Sequence, residues 1–425
     1  MKKIKLISIL VAALMTLTSC MNKIENSPIV GSKPVTLSFY TFYEKDEQAV
    51  AYKEIIEEFE RSHENIKVIL NAGGSNYDTK VLNALNSETP PDIIGLQRGK
   101  VMELSSAGNL KDITDWVNSN NISDNYYGVN LGYGKVDDKY YGLGDLPYVT
   151  QWYYNMDMFD KAKIEEPKTL DELIDVCNKL KKNIQTPIAI GAKDPWALNT
   201  FFGMIAAQTA GNGQLTKAVI ANSREDFTNI KGYVDAIDIV SQLVKSGAIN
   251  KRVADYTYND SIEAFVQGKA AILPMGSWAV EKIEKTKPDN FSYKAFDIAP
   301  IFVESPVSQY SATAIQVITV NSKTKHEKEA MEFMDFLISD KAQEIFRDYN
   351  VISGLKSVNT NPKSQLDKIT IEQLNKTNED SVMYVDDISK KMMESTAANL
   401  LRIIKGQSVK ADTLWKQVIN ESVAE

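Results

Sequence analysis

Apolar and polar positions along this chain alternate with two different periods, and the switches between them mark short strands and amphipathic helices. Val35 to Phe42 is rich in β-branched and aromatic residues and reads as a strand, after which Ala49, Tyr52, Ile56 and Phe59 recur at helical spacing. Ile66 to Leu70 predicts a second strand and Tyr77 to Asn86 a second helix, and Pro90-Pro91-Asp92 is a turn that enters a buried strand at Ile93-Ile94. Tyr140 to Leu143, Tyr148 to Tyr154 and Pro187 to Gly191 read as further strands. Thr169 and Glu172 form a capping box that opens one helix, and Asp194-Pro195 opens another with Asp194 as its N-cap. The helix through Ile262 to Val266 stops at Gly268 and a strand follows at once, while Thr313 to Val320 alternates like a strand. Thr324 to Ile338 is an amphipathic helix in which Glu327 completes a second capping box, and Glu379 to Val423 is helical with a break at Gly406. Strands alternating with helices predict an α/β protein. At 425 residues the chain also exceeds the roughly 250–300 at which a single core stops growing, so two lobes are expected.

The first twenty residues follow another pattern. Lys2, Lys3 and Lys5 precede an apolar run from Ile7 to Leu17, too short to cross a bilayer, and Ser19-Cys20 ends it. This layout resembles a bacterial lipoprotein signal. The resemblance implies that residues 1–19 are removed and that Cys20 becomes a lipidated N-terminus, which anchors the protein on the extracytoplasmic face of the cell membrane. Residues 20–33 lack useful periodicity and read as a tether of about 45 Å when extended at ~3.5 Å per residue.

Charge and chemistry narrow the function further. The formal net charge is −8, and losing the three leader lysines makes the remainder more acidic, which argues against nucleic acid as a partner. The other cysteine, Cys177, shares a helical face with Leu173 and Leu180 and reads as a buried, inert thiol. The two histidines, His63 and His326, have no second ligand at metal-binding spacing, so neither a metal nor another cofactor is expected. No nucleophile elbow, phosphate loop or dinucleotide fingerprint occurs. The acid pairs Asp137-Asp138 and Asp386-Asp387 read mainly as solvated turns, which favours a binding protein over an enzyme.

Four stretches resemble, in order and spacing, the carbohydrate-binding solute receptors of bacterial ABC importers. They are Leu37 to Phe42, Pro90 to Ile94, Tyr141-Gly142-Leu143 through Pro147-Tyr148 to Phe159, and Phe265 to Ala271 through Gly276-Ser277-Trp278. The resemblance implies a periplasmic-binding-protein-like α/β fold of two interrupted lobes, with residues 34–147 and 300–354 in one and 148–299 and 355–425 in the other. A ligand cleft would lie at the hinge of a monomer that hands a saccharide to a membrane permease. A sugar ring has an apolar C–H face and a polar rim, so its site wants aromatic plates and amide or carboxylate side chains. Tyr40, Phe42, Tyr148, Trp152, Trp196 and Trp278 are the candidate aromatic residues, with only one of Tyr40 and Phe42 needed in the cleft. Trp278 matches the tryptophan that this family commonly stacks on a sugar. Glu44, Gln97, Gln151 and Asp386 are the candidate polar residues, whereas Asp92 is expected to order its turn, and Trp116 and Trp415 to pack. Many relatives carry a Gly-Gly pair near Gln309-Tyr310-Ser311; here Tyr310 stands there and adds a candidate ring. A non-sugar solute (polyamine, phosphate ester or peptide) bound in the same fold is the alternative, and a surface glycosidase a more distant one.

Overall fold

Strand β1 (Val35–Thr41) buries Leu37, Phe39 and Thr41 on one face, the period-2 pattern that its sequence carries. It runs parallel to β2 (Ile66–Ala72) and to β3 (Ile93–Leu96), with Phe39 opposite both Leu70 and Ile93. A hairpin, β4 (Lys135–Val136) and β5 (Lys139–Tyr140), turns through Asp137 at a φ of 54° and precedes β6 (Gly142–Gly144). The computed structural model describes residues 34–423 apart from 45, 46 and 75. The expected signal peptide 1–19, the tether 20–33 and the lipidated Cys20 lie outside the described residues.

The second sheet begins with β7 (Pro147–Asn155) and adds β8 (Thr186–Ile188), β9 (Ala270–Gly276), β10 (Tyr293–Ala295) and β11 (Ala312–Ala314). Its order is β10-β7-β9-β8, with β11 paired to the first residues of β7. The last strand, β12 (Val317–Val320), returns to the first sheet and completes the order β2-β1-β3-β12-β6. The segment predicted as one strand from Thr313 to Val320 is therefore two strands in two sheets, divided at Ile315-Gln316. The break leaves no mark in the pattern, because β12 is buried on both faces and an apolar run does not record which sheet supplies the partner. The return between sheets thus falls at 315–316.

Each sheet has its own packing. Against the first, Phe39 meets Tyr52 and Phe333 edge-on at ring separations of 5.5 and 5.8 Å, and Tyr52 meets Phe346 at 5.2 Å. Beside the second, the helix Pro195–Thr209 is buried on nearly all sides, with Leu198, Phe201, Phe202 and Ile205 inaccessible to water. Trp415 is buried and donates from Nε1 to the Phe227 carbonyl at 3.0 Å. Cys177 is buried at 0% exposure, and desolvation pushes its thiol up to about 12.

Three helix starts depart from the sequence reading in their bonding. Thr169 Oγ1 accepts from Glu172 N at 3.3 Å, but the Glu172 carboxylate accepts from Lys168 N at 2.7 Å, one residue before the cap. Asp194 makes no cap bond; its Oδ2 accepts from Tyr258 N at 2.7 Å. The helix after Thr324 begins at Glu327, and the Thr324 hydroxyl bonds Asp92 while Glu327 accepts from Lys111 Nζ at 2.7 Å. In the last two, a tertiary partner outcompetes the local cap, which sequence spacing cannot register. Asp92 also accepts from Ser38 N at 2.8 Å and orders its turn as expected. Among the described residues no helix is long and apolar enough to cross a membrane.

Candidate functional site

In parallel sheets the chain emerges from the carboxyl ends of the strands into loops and helix starts, and crevices for ligands form there. In the first sheet these ends are Thr41, Ala72 and Leu96, followed by Phe42 to Glu44, Gly73-Gly74 and Gln97. In the second they are Ile188 and Gly276, because β8 and β9 run parallel. β7 runs antiparallel to β9 with Thr150 opposite Gly276, so Tyr148 reaches the same edge as Ser277 and Trp278.

The Gly276-Ser277-Trp278 turn has a steric logic. A Cβ added at Gly276 would meet the Trp278 ring at 2.0 Å, so only glycine lets the indole fold back over the backbone. Ser277 Oγ accepts from Val149 N at 3.3 Å and ties the turn to β7. The half-buried Trp278 and Tyr148 rings lie 6.4 Å apart at 68°, an edge-to-face arrangement. Gln48, on the helix Glu47–Ser62 that follows β1, donates from Nε2 to the Tyr148 hydroxyl at 3.4 Å and joins the two sides.

These residues line a cleft of about 760 Å³. Its first-lobe wall is Glu47 and Gln48 with Asn350 to Ile352; the other is Tyr148, Ser277 and Trp278 with Leu366 and Thr370. The volume falls in the range of small-molecule sites, and aromatic faces with a few polar groups are what such sites use for orientation. Two ion pairs border it. Glu281 pairs with Lys285, and Arg347 Nη2 lies 2.9 Å from Asp367 Oδ2. Both cations are thus already matched by a carboxylate.

Of the residues singled out in the sequence, the structure brings Tyr148 and Trp278 together in this cleft. Glu44 and Gln97 stand exposed at the carboxyl edge of the first sheet, outside the wall of the cleft. Trp196 is 38% exposed at the edge of the second sheet, its ring 5.1 Å from that of Tyr258. Phe42 packs edge-on against Tyr77 at 5.8 Å. Tyr40 lies one pleat further back on the same face, beside Leu70, Asn71 and Lys80, and does not line the cleft.

Four others are corrected. Trp152 is 1% exposed and packs between Phe201 and Phe302, at ring separations of 6.1 and 5.9 Å. Gln151, also 1% exposed, donates to Gln373 Oε1 at 2.9 Å and Thr370 Oγ1 at 3.2 Å and accepts from the Tyr153 hydroxyl at 2.7 Å, so both its N–H donors are spent on core partners. Tyr310 is 1% exposed in the core. Asp386 accepts from the Tyr133 hydroxyl and from Thr313 Oγ1, the latter at 3.0 Å, and burial raises its carboxyl above the usual range. The neighbouring Asp387 is fully enclosed: it pairs with Arg98 and accepts from Asn212 and, at 2.7 Å, from Thr216. That acid pair is structural rather than a solvated turn, because Arg98 supplies the buried counter-charge. Glu47, Gln48, Ile352, Leu366 and Thr370 were missed. A polar residue opening a helix after a strand was the available signal for the first two; the others come from segments without a motif. Among the described residues no group of three or more His, Cys, Asp or Glu could hold a metal.

The fold and the cleft can now be set beside known proteins. The profile of the bacterial extracellular solute-binding proteins matches residues 45–344. The multiple sugar-binding protein of Streptococcus mutans is 26% identical over 379 residues, which cover 87% of each chain. A family 1 extracellular solute-binding protein from Bifidobacterium longum subsp. infantis superposes with a TM-score of 0.77 at 20% identity, over 92% of this chain and 99% of that one. The apo form of RafE from Streptococcus pneumoniae gives 0.73 at 21% identity, over 92% and 97%. With well over half its length inside the family match and the two-lobed α/β fold of those structures, the chain belongs to the bacterial extracellular solute-binding proteins.

Proposed function

We propose that this protein is a lipid-anchored receptor that binds a saccharide between its lobes and hands it to an ABC-type permease without chemical change. The observation that carries the reading is the edge-to-face pair of Tyr148 and Trp278 on one wall of the cleft, facing the polar start of the helix Glu47–Ser62 on the other. An indole and a phenol offer flat apolar faces to sugar C–H groups, while Gln48 and Glu47 offer a donor and acceptors to hydroxyls. The names of relatives support a sugar: one is a multiple sugar-binding protein, RafE has been solved with raffinose, and a third neighbour is a chitin oligosaccharide binding protein. Lipidation at Cys20 rests on the leader sequence alone. Replacing Cys20 with Ala is expected to release folded protein from the membrane fraction.

A thermal-shift screen over raffinose, chito-oligosaccharides and xylo-oligosaccharides tests the reading. A ligand at 100 times its Kd should add about 2.7 kcal/mol to the folded state. Silence across the saccharides together with a shift on spermidine would replace the sugar with a polycation. Release of new reducing ends above about 1 s⁻¹ would make the protein an enzyme.

A further inference from the structure

The two strand crossings between the sheets meet at one carboxylate. Asp145 follows β6 and Gln316 precedes β12, and their backbones are joined: Asp145 N donates to Gln316 O at 2.9 Å, and Gln316 N donates to Asp145 Oδ1 at 3.2 Å. Oδ1 also accepts from Leu146 N at 2.6 Å. Oδ2 accepts from the hydroxyls of Tyr43 and Tyr52, each at 3.1 Å. The Gln316 amide completes the knot, accepting from Thr41 Oγ1 at 3.0 Å and donating to the Tyr52 hydroxyl at 3.4 Å. A Cβ at Gly95 would meet Gln316 Oε1 at 2.1 Å, so β3 passes this amide only as glycine.

All these partners of Asp145 are neutral. The titratable groups that face it are Tyr43 and Tyr52, with Tyr148 acting on the first and Tyr126 on the second, and Asp340 acting on Tyr126 from the helix Asp340–Asp348. The remaining packed side chains, Ile318 of β12, Met334 and Leu337 of the helix Glu327–Leu337, and Gln343 and Phe346, are uncharged. With Asp145, Tyr52 and Tyr126 they enclose a cavity of about 30 Å³, and the buried Tyr126 hydroxyl has no hydrogen-bond partner among the described residues. Desolvation pushes the Asp145 carboxyl up to about 6 despite the bonds that favour its ionised form. A half-buried carboxylate balanced only by hydroxyls and amides costs stability when charged, and here it sits where the chain crosses between the two sheets.

We propose that Asp145 is a positioning residue that couples proton binding to the angle between the lobes, and through it to ligand affinity. The second half of this rests on the cleft reading above. A lobe arrangement that admits water to Asp145 returns its carboxyl toward the ordinary range, so the proton binds preferentially to the arrangement described here. Raising the pH through about 6 therefore favours the hydrated arrangement. The full return is a little over two pK units, so the hinge equilibrium changes by up to about 100-fold.

The test measures the distance between spin labels on Lys67→Cys and Lys390→Cys, one per lobe, in ligand-free chain from residue 20 carrying Cys20→Ala. Between pH 4.5 and 8 the distance distribution is expected to shift with a midpoint near 6, and Asp145→Asn to abolish the shift. Tyr43→Phe removes one donor from the carboxylate and is expected to move the midpoint upward, which a merely structural role would not do. A distance that is flat with pH, a shift that survives in Asp145→Asn, or a midpoint unmoved by Tyr43→Phe overturns the proposal; the last variant carries the test if Asp145→Asn does not fold. Saccharide titrations of the same samples are read separately. A responsive hinge with no saccharide binding at any pH would reject the cleft reading and the affinity half of the proposal together, and leave the hinge half standing.

Discussion

Tyr148 and Trp152 lie four residues apart on the same strand and have opposite fates. Tyr148 sits at the start of β7, half-buried, with its ring against Trp278 and its hydroxyl accepting from Gln48. Trp152 sits mid-strand, where β9 covers one side and the helix Pro195–Thr209 the face, and it is lost to solvent. Residue type does not separate the two. What separates them is distance from the end of the strand, because only there does the sheet stop covering its own side chains. Gln97, just past the end of β3, is exposed for the same reason.

This contrast can be broken by substitution. Trp152→Ala is expected to cost about 3–5 kcal/mol of stability through the cavity it leaves, with unchanged affinity in the molecules that stay folded; a weakened affinity at an unchanged melting midpoint would move Trp152 into the site. Gln151→Leu leaves the Tyr153 hydroxyl and the Gln373 carbonyl without their partner. We expect a loss of about 2 kcal/mol on denaturant unfolding, again without a change in Kd. Trp278→Ala should do the reverse, raising the saccharide Kd about 30-fold, or about 2 kcal/mol, while the unfolding midpoint barely moves. Smallest is Tyr148→Phe, which keeps the ring and loses the hydroxyl. Calorimetric titration should report about 1 kcal/mol, or roughly fivefold, and a larger effect would mean that the hydroxyl rather than the ring face meets the ligand.

Much of this architecture was legible in the sequence, and the reasons differ element by element. Strands β1 to β3 and their helices could be read because burial on one face writes a period into the sequence. The Gly276-Ser277-Trp278 turn could be read because the indole needs a glycine two residues before it, which leaves a short motif. The break at Ile315-Gln316 was hidden, since an apolar run does not record which sheet it joins. Gln151 and Asp386 misled for a common reason: a polar residue in an apolar run marks either a site or a satisfied core, and only the partners, here Gln373, Tyr133 and Thr313, decide which. Those partners lie 73 to 253 residues away, beyond the reach of any local pattern.

The chain holds five tryptophans, at 116, 152, 196, 278 and 415, so 5-fluorotryptophan labelling gives one fluorine signal for each environment. Titrating a saccharide found in the thermal-shift screen into labelled protein, with the Trp278 signal assigned from Trp278→Phe, tests the cleft directly. The account predicts that the Trp278 resonance moves most, that Trp196 moves less, and that the buried Trp152 and Trp415 stay in place. A saccharide that binds while the Trp278 resonance does not move would contradict it.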